Sequence, residues 1–233
     1  MTANGRMGGK ILADGLKAQG VDAIFGVPGE SFLALLDGLY DQRDTIRFIT
    51  CRQEGGAANM AEAYGKLTGR PGVCVVTRGP GATNASVGLH TAFQDSTPMI
   101  LLVGQVGREM LDREAFQEVN HQIFFSEMSK WSAEIKDASR IPEYLSHAFH
   151  VALSGRPGPV VLSLPEDMLR DVAEVEDAPR AIPVQPAPTM EQMIKFLKNE
   201  NTFDEKDWEE LYKISEETFV KENESLKNTA AGG

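Results

Sequence analysis

The sequence predicts an α/β fold: a doubly wound, mainly parallel six-stranded sheet with helices on both faces, followed by a helical C-terminal tail. Three observations predict it. Short, β-branched and nearly all-apolar runs recur between residues 8 and 165, as strands buried on both faces read. Segments of helical period alternate with them, the signature of strand–helix–strand units and a parallel sheet. Gly, Pro or polar residues bound each run, as turn chemistry requires.

The alternation makes six units. Residues 9–19 carry the first helical period and lead to the apolar run 23–26 (AIFG). Residues 31–39 form the second helix, before the strand 47–51 (RFITC). The third helix, 54–68, opens on Glu54-Gly55-Gly56 and precedes the strand 73–77 (VCVVT). The fourth unit pairs helix 82–93 with strand 99–103 (MILLV), the fifth helix 120–128 with strand 131–135, and the sixth helix 140–153 with strand 160–164. Residues 1–168 therefore read as one domain. Residues 169–188, rich in Pro, Ala, Glu and Asp, read as a linker. Residues 189–233 read as an acidic helical tail, with eleven acids against six bases and apolar positions at Phe196, Trp208, Leu211, Tyr212, Ile214 and Phe219.

Composition bounds the function. The 233 residues are 42% hydrophobic, enough for a packed core, and carry a net charge of -11 from 23 bases and 34 acids. That balance argues against capture of nucleic acid or an anionic membrane, both of which need a basic face. Small molecules and proteins are the expected partners. The start, MTANGRMGGK, lacks the apolar segment of a secretory signal, and no run approaches the roughly 20 apolar residues of a membrane span. The cytoplasm is the expected location. Cys51 and Cys74 each sit in a strand-like run without metal-ligand spacing and read as buried thiols in a reducing compartment.

Ligands of doubly wound sheets sit beyond the carboxyl ends of the strands. Three loops fall on that rim: Pro28 and Gly29 after the first strand, Glu54 after the second, and the Gly-Pro-Gly of residues 79–81 after the third. Each has a bland alternative. A glutamate in a first turn satisfies exposed N–H groups and the helix dipole. GPGATN, residues 79–84, has the spacing of a G-x-G turn that offers N–H groups to an anion. A dinucleotide site is disfavoured, because Asn84 replaces the third glycine and no acidic residue ends the next strand.

VPGE (27–30), the run from Arg52 to Asn84, AFQDSTPMILLVGQV (92–106) and AFQEVNHQIFF (115–125) together resemble the N-terminal, pyrimidine-binding domain of thiamine-diphosphate enzymes, above all that of acetolactate synthase large subunits and their relatives. The resemblance spans about residues 8 to 168. It implies that Glu54 is catalytic, hydrogen-bonding N1′ of the aminopyrimidine and favouring the imino tautomer that removes the thiazolium C2 proton. It further implies that Pro28, Gly29, Thr77, Pro80, Gly81, Asn84 and Gln117 line the cofactor, that Phe116 borders a 2-oxo acid substrate such as pyruvate, and that the site is completed by a dimer partner or second chain. Read without the resemblance, Thr77 is a strand-end hydroxyl, Pro80 turn geometry, Asn84 a first-turn helix residue and Phe116 core.

The sequence also departs from the pattern. The family typically has Tyr-Pro-Gly-Gly where Val27-Pro28-Gly29-Glu30 stands, and commonly Ser where Arg78 stands. The Gly-Asp-Gly that marks the family's Mg²⁺ and diphosphate domain does not occur, so the chain is expected to form half of a site and to be inactive alone. No metal site is expected here: His147 and His150 lack an acidic third ligand, and His121 lacks the histidine pair found in related decarboxylases. A non-catalytic interaction module docking on a full-length homologue is the alternative.

Overall fold

The computed structural model describes residues 5–182 and Lys213. The chain divides into two units, Met1–Val184 and Gln185–Gly233. Of the second unit only Lys213 is described, exposed and helical, so the expected tail helices lie outside the described residues.

The first unit runs β1 (Arg6–Met7), α1 (Gly8–Ala18), β2 (Ala23–Gly26), α2 (Leu33–Asp41), β3 (Arg47–Thr50), α3 (Glu54–Thr68), β4 (Gly72–Thr77), α4 (Arg78–Gln94), β5 (Met99–Gln105), α5 (His121–Phe124), β6 (Trp131–Glu134), α6 (Ile141–Leu153), β7 (Pro159–Pro165) and β8 (Val172–Ala173). Six strands form one sheet in the order β3-β2-β4-β5-β7-β6, every neighbouring pair parallel. The doubly wound sheet expected from the alternation is what the chain forms. β4, buried but for Thr77 at its end, and the fully buried runs β5 and β7 occupy its middle, where both faces are covered.

Side-chain alternation along each strand feeds two cores. Val73 and Val75 of β4 pack with Ile11, Leu12 and Leu16 of α1 and Leu145 of α6 on one face. Cys74 and Val76 pack on the other face with Ala57, Ala58 and Ala61 of α3 and Ala82, Ala85 and Leu89 of α4. Small residues dominate this second layer, and they let α3 and α4 lie close. A Cβ on Gly88 would stand 2.6 Å from Ala58 Cβ.

The chain leaves β2 toward β3 at one edge and leaves β4 toward β5 on the other side. The order therefore reverses between β2 and β4, the switch point at which such sheets hold ligands.

Three local expectations change. Helix α4 starts at Arg78, not at residue 82, so Gly79-Pro80-Gly81 forms its first turn and not a loop. Pro80 is tolerated there because a first-turn N–H has no intrahelical partner to lose. The fifth helix is one turn, His121–Phe124, capped by the Ile123 N–H donating to Asn120 Oδ1 at 3.1 Å. Phe125 then plunges into the core and the chain turns toward β6. The antiparallel pair β1–β8 was not foreseen: Met7 pairs with Val172 and Arg6 with Ala173, while Leu169, in the segment read as a linker, is fully buried.

Candidate functional site

The rim around the switch point is built from three corners. The first is the turn from β2 to α2, pinned on the end of β4. Gly29 lies so close to Thr77 that a Cβ would stand 2.6 Å from Thr77 Cβ. The Ser31 and Thr77 hydroxyl oxygens are 2.6 Å apart. Gly104, opposite Thr77 in the register, leaves the room that Ser31 fills, since a Cβ there would meet Ser31 Oγ at 2.0 Å. Pro28 remains exposed at the tip.

The second corner joins α3 to α4. The Gly56 N–H donates to Gln53 Oε1 at 2.9 Å, so Gln53, and not Glu54, caps α3. That frees the Glu54 carboxylate from the bland role. Asn84 Nδ2 donates to Glu54 Oε2 at 2.9 Å, and Oε1 has no partner among the described residues. Gly55 permits the approach: a Cβ there would lie 3.1 Å from the Asn84 carbonyl oxygen. Gly56 faces open space, with nothing within 4 Å of its Cβ position. Asn84 itself lies in the second turn of α4, because the helix begins earlier than expected. Gly81 is buried over Val76, whereas Pro80 is exposed.

The third corner is the segment between β5 and α5. Asp112, Glu114 and Gln117 all have positive φ, at 62°, 52° and 65°. Glu118 gathers the segment by accepting the Ala115 N–H at 2.9 Å and the Asp112 N–H at 2.6 Å, and those two bonds, led by Ala115, hold its pKa below the ordinary glutamate value. Gln105 Nε2 donates to the Val119 carbonyl at 2.8 Å. The Gly79 N–H donates to the Gln117 carbonyl at 2.8 Å, which seats the segment on the first turn of α4. Phe116, expected as substrate-bordering or core, is 73% exposed.

Arg78 joins the corners from beneath, with Glu166 at 2.8 Å and Glu30 at 3.6 Å. Glu30 and Arg78, two of the departures from the family pattern, thus lie across from each other. Ser31, Gln53, Gln105 and the reach of Arg78 were not read from the sequence. Gln53 carried a faint signal, an amide immediately before a helix start, but glutamine is not a favoured cap. The partners of Ser31 and Arg78 are set by strand order, which single residues do not disclose.

His121, His147 and Cys74 serve packing. His121 is 2% exposed, its Nδ1 2.8 Å from Ser163 Oγ, and burial pushes its pKa down to about 4. His147 packs edge-on to Trp131 at 4.4 Å between ring centroids. Burial pushes the Cys74 thiol up, so it stays protonated. Among the described residues no three His, Cys, Asp or Glu side chains gather as a metal site, and no helix is long and apolar enough to cross a membrane. A cavity of about 290 Å³ lies at the amino end of the strands, lined by Gln19, Val21, Tyr64, Arg70 and Phe149, away from the three corners.

Comparison with known proteins places relatives beside the whole domain. The family described as thiamine pyrophosphate enzyme, N-terminal TPP binding domain, matches residues 6–124. A probable acetolactate synthase large subunit of Methanocaldococcus jannaschii is 41% identical over 172 residues, which cover 74% of this chain and 29% of that protein. The mitochondrial acetolactate synthase catalytic subunit of Saccharomyces cerevisiae is 38% identical over 164 residues, covering 70% of this chain and 24% of that protein. An acetolactate synthase large subunit of Lactococcus lactis is 38% identical over 177 residues, covering 76% and 31%. The chain thus spans 24% to 31% of the length of these relatives.

Proposed function

Because the chain belongs to the thiamine pyrophosphate enzyme family, as its N-terminal TPP-binding domain, we propose that it forms the aminopyrimidine half of a thiamine diphosphate site in a carboligase or decarboxylase like acetolactate synthase, acting on a 2-oxo acid such as pyruvate. The observation that carries this reading is the Glu54–Asn84 pair. One carboxylate oxygen is fixed by an amide and the other is open on a rim beside Gly56, which suits a ring nitrogen that shares a proton with a carboxyl. The donor set fits the group.

In this reading Glu54 holds the proton at N1′ and Asn84 keeps the carboxylate turned toward it. Pro28, Gly29, Thr77, Pro80, Gly81 and Gln117 line the ring's surroundings, and Phe116 borders the substrate. When bound, the cofactor supplies a carbon nucleophile for the 2-oxo group, while the protein positions and polarises. Mg²⁺ and the diphosphate are held by a separate diphosphate-binding domain, a second copy of the chain pairs with the first through α3, the protein works in the cytoplasm, and residues 1–233 alone turn over no substrate. The limits 1–168, 169–188 and 189–233 for domain, linker and acidic tail belong to the same proposal.

Exchange of the cofactor's C2 proton, followed by NMR in a reconstituted two-chain enzyme, tests the reading. Glu54→Gln should slow exchange by about a hundredfold or more, the range of a lost general acid–base contact. Unchanged exchange would remove Glu54 from the mechanism.

A second reading rests on Met60 of α3 and Val87 of α4, which are 48% and 57% exposed. Exposed apolar side chains on two packed helices also suit a non-catalytic module docking on a full-length homologue. Co-purification without any cofactor-dependent activity would favour it.

A further inference from the structure

Arg78 is the buried charge for which the proposed function has no use. The residue is 8% exposed and opens α4 at a φ of 39°, a conformation strained for any residue but glycine. Its Nη2 donates to Glu166 Oε2 at 2.8 Å beyond β7. Its Nη1 lies 3.6 Å from Glu30 Oε1 in the β2–α2 corner and donates to the Phe116 carbonyl at 3.5 Å. Buried Nε has no partner among the described residues. One planar guanidinium therefore spans three segments whose common feature is the rim they enclose.

The two carboxylates differ in kind. The Glu166 side chain is 30% exposed and close, so it neutralises the buried charge, whereas Glu30, 73% exposed and farther, adds little. The third contact is the informative one. Arg78 and Gly79, successive residues of α4, hold the successive carbonyls of Phe116 and Gln117. Gln117 within the held segment, and Asp112 and Glu114 just before it, have positive φ, and such strain persists only where surrounding structure over-determines it.

We propose that Arg78 is a positioning residue: it fixes residues 115–119 on the first turn of α4, so that Phe116 and Gln117 stand at the rim before a ligand arrives. Ordering the segment in advance removes that entropy from the binding step. The inference rests on the proposed function only in taking this rim as the binding site.

Amide hydrogen exchange on the full chain, without ligand, tests it. In Arg78→Gln the amides of residues 115–119 should exchange at least about tenfold faster, while those of β4 and β5 stay within about twofold. Arg78→Lys should fall between, because a single ammonium cannot serve Glu166 and the Phe116 carbonyl together. Unchanged protection of 115–119, or an equal rise in β4 and β5, would overturn the proposal. The second pattern would make Arg78 a stability residue only. Should Arg78→Gln fail to fold, Glu166→Gln removes the anchoring charge at constant shape, and the same regional contrast decides. NMR titration of the unaltered chain with thiamine diphosphate, in the presence of a chain carrying a diphosphate-binding domain, reads the other premise. Unmoved Gln117 and Glu54 resonances would sink the cofactor reading while leaving the exchange result standing.

Discussion

His121 shows how far one residue's meaning depends on where the chain puts it. The sequence offers it as a loop or helix histidine near a motif used by related decarboxylases, yet it sits beneath the sheet edge with Ser163 on one nitrogen and no partner for Nε2 among the described residues. Burial lowers its pKa from 6.5 to about 4, so between those values the unfolded chain takes up a proton that the folded chain refuses. Its share of stability is intact above about pH 6.5 and is lost as pH falls toward about 4, by roughly 3 kcal/mol in all. Urea unfolding at about pH 7 and about pH 4 should show that loss in the native chain and a smaller one in His121→Gln. An equal loss in both would assign the acid sensitivity to carboxylates. Glu54, by contrast, was legible as the start of a helix facing the rim because its motif is local, and its contact with Asn84 joins two motifs on adjacent helices. Ser31 and Arg78 were not legible, since their partners come from strands that are neighbours only after the sheet reverses.

Helices α3 and α4 are the elements on which the Glu54–Asn84 contact depends, and their spacing is set by glycine and alanine. A methyl group at Gly88 would stand 2.6 Å from Ala58 Cβ, 2.7 Å from the Ala58 carbonyl carbon and 2.8 Å from the Asn59 nitrogen. Gly88→Ala gains about 1 kcal/mol of helix propensity but incurs overpacking of about 1 to 3 kcal/mol against backbone that cannot rotate away. The variant should unfold at lower urea with an unchanged m value, and a higher midpoint would show that the helices separate at no cost. Element boundaries were read unevenly for physical reasons. The limits of α3 were legible, because a polar turn precedes Glu54 and Gly69, at a φ of 67°, ends it. The start of α4 was misplaced because Gly-Pro-Gly reads as a turn by composition. It becomes helical when the Gln117 carbonyl takes up the Gly79 N–H, a contact from a segment far along the chain.

At the scale of the whole molecule, the doubly wound architecture was legible from six alternating units, because a parallel sheet must be buried on both faces and its strands must be apolar throughout. The pairing order was not, since strand sequences alone do not say that β7 inserts between β5 and β6. The exposure of Met60 on α3 and Val87 on α4 bears on assembly. The chain should sediment as a dimer at concentrations of tens of micromolar, and Met60→Glu should shift it to monomer while leaving the unfolding midpoint within about 0.5 kcal/mol, as befits a surface substitution. A chain that sediments as a monomer throughout would leave Met60 and Val87 without a partner of their own kind. The two-residue ribbon of β1 and β8 joins the start of the domain to its end, and Arg6 reinforces it through the Val175 carbonyl and Asp177. Tension applied between those two ends is borne first by the ribbon, which opens bond by bond like a zipper. The six-stranded sheet, with the three corners on its rim, stays unloaded until the ribbon has given way.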